Sequence, residues 1–297
     1  MQGNMNVCII NFVQNRNPTK QIGEIDMKKG LWILMLGITL VLAACGTSDE
    51  DNSTSNQDTN AEGASLYDEI MEKGVINVGT EGTYAPFTFH NDEDKLTGYD
   101  VEVMREVAKR MGIEVNFMET QWDSMFAGLN SARFDVIANQ VGINPERKEN
   151  YDFSNPYTVS SAVVVVPEDN TDVTSFDDIE GKTSAQSLTS NYEKIAKEHG
   201  AEIQGVEGLA QAIEMIKQGR VQITVNDRLA VLDYMQQQPD AGIKIAAQQD
   251  EVSETAFAFR KGNEELVQAF NEQLEAMKED GTLTEIAKKW FGEDVSQ

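Results

Sequence analysis

The rhythm of hydrophobic and polar positions changes three times along the chain. Residues 31–44 are an uncharged run of fourteen between Lys28-Lys29 and Cys45, and residues 46–65 are small and polar, with no large apolar side chain and no basic one. From Leu66 onward, short runs of strand type alternate with segments whose apolar residues recur every three or four positions, which is the pattern of an α/β fold. Strands are predicted over 75–79 and 113–117 around a helix marked by Val101, Met104, Ala108 and Met111, a βαβ unit. A helix over 122–130 leads to a strand over 134–138, and the apolar run 162–166 before Pro167 reads as a buried strand. Strands over 182–185, 202–206 and 221–225 then alternate with helices over 190–198, 209–218 and 227–237, an order that predicts parallel strands joined by right-handed crossovers. A strand over 255–259, a helix carrying Leu266, Phe270, Leu274 and Met277, and a last helix over 282–291 are expected to return to the first part. The resulting expectation is a first lobe over 66–159, a second over 160–251 and a return to the first over 252–297. Crossings near 158–161 and 250–254 would form the hinge.

The two segments before Leu66 read as targeting and tether. A fourteen-residue apolar run behind two lysines has the length of a signal-peptide core and falls short of the roughly 20 residues that span a bilayer. Met27 stands where such a signal would start, so residues 1–26 read as an over-extended start. Leu42-Ala43-Ala44-Cys45 resembles the lipobox of bacterial lipoproteins, which implies an acylated Cys45 as the mature N-terminus, signal peptide 1–44 and an extracytoplasmic protein held at the membrane. Residues 45–65 then form a linker too polar to fold alone, with a random-coil reach of roughly 25 Å.

Charge and cysteine content exclude several classes. Residues 1–44 hold four of the 24 basic and two of the 50 acidic residues, so the chain from Cys45 carries 20 against 48, a net −28. That balance repels phosphate backbones and argues against a nucleic-acid partner. The two cysteines, Cys8 and Cys45, lie outside the segment that folds, and His90 and His199 stand far apart. No metal site, cofactor or Ser-His-Asp triad is expected.

An ordered series of short motifs follows: GTEGTYAPF at 79–87, LTGYDV at 96–101, FDVI at 134–137, PERK at 145–148, YDFSNPY at 151–157, ND at 226–227 and DGTL at 280–283. Together they resemble the family 3 solute-binding proteins, receptors of polar amino acid ABC importers, over residues 75–292. NQV at 139–141, NDRLAVLD at 226–233 and WFGEDV at 290–295 are most similar to the cystine-binding branch. The resemblance implies a two-lobed periplasmic-binding-protein-like α/β fold, each lobe a mixed sheet flanked by helices, joined by two hinge crossings. It also implies a monomer that delivers an amino acid, preferably cystine, to a membrane permease.

A zwitterion needs a cationic fork for its carboxylate and an anion for its ammonium. Arg147 matches the family's carboxylate-gripping position, and its planar donors suit that task. Asp227 matches the ammonium acceptor; as an aspartate opening a helix it also reads as an N-cap. Thr189, Ser190 and Asn191 match positions beside the ligand, and Ser190 to Glu193 is equally a capping-box pattern. Tyr84, Phe87 and Trp122 match aromatic positions around the ligand's side chain, with Tyr84 and Phe87 expected to face a cleft. Gly142 stands where the commoner pattern has a carboxylate-binding serine or threonine, and Asn139 and Gln140 are expected to supply amide contacts instead. No residue is expected to be catalytic. An enzyme on the same fold, of the cyclohexadienyl or arogenate dehydratase kind, needs a general acid beside a leaving hydroxyl. A sensory domain needs a spanning helix or signalling domain after the fold, which the sequence to Gln297 does not hold. The binding protein is therefore the expectation.

Overall fold

The computed structural model describes residues 64–296. The expected signal peptide, the expected lipidation site Cys45 and all but the last two residues of the expected linker lie outside them. The chain opens with helix α1 (Leu66–Lys73), strand β1 (Val75–Thr80) and a small antiparallel meander, β2 (Thr83–Tyr84), β3 (Thr88–His90) and β4 (Leu96–Thr97). Next come α2 (Tyr99–Met111), β5 (Glu114–Glu119), α3 (Trp122–Asn130), β6 (Val136–Gly142), α4 (Pro145–Asn150), β7 (Tyr151–Phe153) and β8 (Thr158–Pro167). A second set follows as β9 (Thr183–Gln186), α5 (Asn191–Glu198), β10 (Glu202–Gly205), α6 (Leu209–Lys217), β11 (Thr224–Asp227) and α7 (Arg228–Gln237). The long strand β12 (Ile243–Arg260) leads back to α8 (Glu264–Glu279) and α9 (Thr282–Phe291).

Alternation along the central strands explains why both faces of the main sheet are covered. In β6, Val136 and Ala138 enter the larger core while Ile137 and Val141 enter a second one with Trp122, Met125 and Leu129 of α3. In β8, Val163 and Val165 face the larger core and Ala162, Val164 and Val166 face a third, beneath α5. Period-two alternation with apolar residues on both faces produces these continuous hydrophobic runs. The helix marked by Leu266, Phe270, Leu274 and Met277 buries all four completely.

The sheet order is β11-β8-β12-β6-β1-β5. Strands β8 and β12 pair antiparallel from Ile243↔Pro167 to Thr255↔Thr158, with register shifts between Ile245 and Ala247 and between Gln248 and Val252. These two strands therefore run through both halves of the molecule.

Two expectations are corrected here. The strand expected over 255–259 is the end of an 18-residue strand, because residues 243–254 continue the ladder against β8 despite their polar sequence. The second set is parallel as expected: β9 pairs in parallel with β10, and Ser184 of β9 bridges Ile223, just before β11, in parallel. On its other side β11 pairs antiparallel with β8, which enters from the other half of the molecule. The strand expected over 134–138 lies over Val136–Gly142 and carries the chain up to the cleft.

Local signals fix the elements that hold the cleft. Helix α4 begins behind Asn144, whose side chain accepts from the Arg147 N–H, with Pro145 at the first helical position. Gly98 before α2 has φ 126°, and a Cβ there would lie 2.2 Å from the Phe87 carbonyl oxygen, so this close approach requires glycine.

Candidate functional site

Arg147 reaches the cleft from α4, the short helix set by that Asn-Pro start. Its guanidinium is buried; Nη1 donates to the Gly142 carbonyl at 2.9 Å and Nη2 to the Thr189 carbonyl at 3.3 Å. Its central carbon lies 5.3 Å from the Trp122 ring centre and 5.2 Å from that of Phe126. Burial lowers its pKa to about 10, which leaves it cationic at neutral pH.

Asp227, at the junction of β11 and α7, is buried behind Tyr192 and lines neither hollow of the cleft itself. One carboxylate oxygen caps α7, accepting from the N–H groups of Leu229 at 2.7 Å and Ala230 at 3.4 Å. The other accepts the Tyr192 hydroxyl at 2.9 Å. Burial pushes its pKa up, while the Ser160 and Tyr192 hydroxyls and the helix N–H groups oppose the rise. Capping and a place near the cleft thus coexist. Tyr192 feels both groups, the carboxylate of Asp227 and the cation of Arg147.

Of the predicted residues, Tyr84, Trp122, Asn139, Gln140, Ser190 and Asn191 line one cavity, together with Glu81, Tyr192 and Asn226. Arg147 and Thr189 line an adjoining open groove that shares Ser190 and Asn191 as its wall. Gly142 faces Asn191, where an added Cβ would make ordinary contact at 3.5 Å. The Trp122 indole N–H is buried without a hydrogen-bond partner among the described residues.

Phe87 does not face the cleft. It is wholly buried, its ring 5.2 Å from that of Tyr84 and 5.8 Å from that of Phe291. The returning helix α9 covers it, so a Gly- and Pro-rich segment buries a large ring after all. The amides of Asn139 and Gln140 are committed within the protein. Asn139 donates to Glu81 at 2.6 Å and accepts the Glu81 N–H at 2.7 Å. Gln140, at φ 48°, donates its backbone and side-chain N–H groups to Asp100 at 2.6 Å each, and accepts from Thr255 at 2.9 Å. Ser190 caps α5 by accepting from the Glu193 N–H, but Glu193 pairs with Lys197 and does not complete the box.

Glu81 was not singled out by sequence reasoning. Burial raises its pKa to about 7, opposed by hydrogen bonds from the Asn139 side chain and the Trp122 backbone N–H. Only its place beside Tyr84 in the GTEGTYAPF stretch could have signalled it. Across the cleft, the Tyr84 hydroxyl donates to Asn226 Oδ1 at 2.9 Å.

The sequence that builds this cleft, with a buried guanidinium packed over two aromatic rings, matches a known family over residues 76–293. The chain belongs to the bacterial extracellular solute-binding proteins, family 3. It is 57% identical over 273 residues to the L-cystine-binding protein TcyA of Bacillus subtilis, covering 91% of this chain and all of that one. The L-cystine solute receptor of Neisseria gonorrhoeae, in its unliganded open conformation, is 49% identical with a TM-score of 0.55; the match covers 79% of this chain and 100% of that one. An ancestral arginine-binding protein bound to arginine is 36% identical, with a TM-score of 0.70 over 74% of this chain and 99% of that one. The fold is the two-lobed α/β type of this family, and its members at hand are binding proteins of transporters, not enzymes.

Proposed function

We propose that this protein is the extracytoplasmic amino acid receptor of an ABC importer and that its ligand is L-cystine. The observation that carries the reading is that Arg147 and Glu81 line two adjoining hollows, with the buried Asp227 held behind Tyr192 at their wall. Arg147 takes an α-carboxylate in a bidentate grip. Asp227 takes the adjacent ammonium, and Glu81, on the other wall with no cation beside it among the described residues, suits a second one. A molecule with an amino acid at each end fits both acids at once. The names of the relatives at 57% and 49% identity support the same ligand.

Lobes over 66–159 and 160–251, with the return over 252–297, close about β8 and β12. The TM-scores support a closed arrangement: the open receptor superimposes less well than the arginine-bound protein despite its higher identity. Cys45 carries the lipid anchor and the linker to residue 65 lets a monomer reach the permease. Cys45→Ala is expected to release the protein into the medium.

Isothermal calorimetry of the purified domain tests the ligand. L-cystine is expected to bind more tightly than arginine, glutamine or histidine. Tight binding of another amino acid with none of L-cystine would replace the ligand, and binding of no amino acid would remove the function.

A further inference from the structure

Tyr192, like Glu81, lines this cleft without having been singled out by the sequence motifs. It is the second residue of α5, its ring rests against the third core beneath that helix, and it lines the cavity between Tyr84 and Asn226. Its hydroxyl donates to Asp227 Oδ2 at 2.9 Å. Because Asp227 Oδ1 is taken by the helix N–H groups of Leu229 and Ala230, the oxygen left for the cleft is the one that Tyr192 holds.

The cavity is small in this arrangement, with a free volume of about 50 Å³. At roughly 10–15 Å³ for each water on such a measure, it admits a few waters and no amino acid. Although the adjoining groove at Arg147 has about 470 Å³, a ligand that fills this cavity requires wider jaws or a displaced ring, and an ammonium that reaches Asp227 must share it with the phenol or evict it.

We propose that Tyr192 is a specificity-determining gate: its hydroxyl competes with the ligand's ammonium for Asp227, and its ring sets the room left for the ligand's side chain. The chemical class admitted is an α-amino acid whose ammonium outcompetes a phenol for a buried carboxylate. The proposal rests on the binding reading given above. A phenol donates one neutral hydrogen bond, whereas an ammonium brings charge to the same acceptor, so exchange favours the ammonium. The phenol still lowers the net gain, because its own bond is lost when the ammonium arrives.

Tyr192→Phe keeps the ring and removes the competitor. Calorimetry with L-cystine is expected to show Tyr192→Phe binding severalfold to tenfold tighter than wild type. Tyr192→Ala is expected to shift the ratio of affinities toward bulkier amino acids, read with L-homocystine, longer by two methylenes, against L-cystine on protein whose circular dichroism matches wild type. Equal or weaker binding by Tyr192→Phe overturns the competition, since a phenol that merely contacts the ligand loses a bond on removal. An unchanged ratio for Tyr192→Ala overturns the steric part. If wild type binds another amino acid and not L-cystine, the ligand assignment fails and the same comparison is read with that amino acid. A wild type that binds none overturns both.

Discussion

At the scale of single residues, the site is decided by how buried charge is compensated. Arg147 spends two of its five N–H donors on the carbonyls of Gly142 and Thr189 and packs over the rings of both Trp122 and Phe126, so its fork is held in place before any ligand arrives. A lysine offers neither the plane nor the fork. Arg147→Lys is therefore expected to weaken L-cystine binding by at least about 100-fold, on the order of 3 kcal/mol, in calorimetry. Glu81 poses the opposite problem, a carboxylate buried without a cation, with a pKa near 7 against 4.5 for the free group. The folded protein then holds a proton that the unfolded chain has released between about pH 4.5 and 7. Stability from this group is greatest below that window and falls as pH rises through it, leaving a penalty on the order of 2–3 kcal/mol above pH 7. Glu81→Gln is expected to melt several degrees above wild type at pH 8, with the gap closing toward pH 5. An equal gap at both pH values would show that ionisation of Glu81 is not the cause. The same variant loses affinity for L-cystine if Glu81 receives an ammonium.

At the scale of elements, Asp227 serves two structures at once, the first turn of α7 and the cleft. Asparagine caps a helix about as well as aspartate and carries no charge. Asp227→Asn is accordingly expected to leave the melting temperature within a degree or two while reducing L-cystine affinity 10- to 100-fold. Asp227→Ala should lose the cap as well, about 1 kcal/mol in chemical denaturation. The long helices were legible because each signals its buried face locally, by apolar residues recurring every three or four positions. The last helix over 282–291 and the helix over 122–130 fall where periodicity puts them. Strand β12 was not legible beyond 255–259, because residues 248–254 are mostly polar and are held by ladder hydrogen bonds to β8, a long-range partner. The start of α4 was readable as Asn144-Pro145, yet a six-residue helix has too few turns to show a period. In the site, the family motifs pointed to six of the residues that line the cavity, but not to Glu81 or Tyr192, and Phe87 escaped because α9 returns to cover it from 200 residues away.

At the scale of the molecule, the question is what holds the two walls together. The cross-cleft ion pair between Lys194 and Glu146, at 3.6 Å, and that between Arg228 and Glu293, at 3.5 Å, are exposed, and such pairs contribute about 0–1 kcal/mol and are screened by salt. The Tyr84–Asn226 bond and the Arg147–Thr189 bond are shielded and escape screening. Closure should therefore depend on these two bonds and on the ligand, and little on ionic strength. Asn226→Ala removes the acceptor for Tyr84 and is expected to increase the radius of gyration of the protein alone in small-angle scattering. Saturating L-cystine, by binding the closed form better, should bring the variant back to the compact value of wild type, at the cost of a severalfold weaker apparent affinity. Raising salt from about 0.05 to 0.5 M should leave the wild-type scattering nearly unchanged, because a Debye length falling from about 14 to 4 Å acts on the exposed pairs and not on the shielded bonds. A protein that opens with salt while Asn226→Ala stays compact would assign closure to the surface pairs instead.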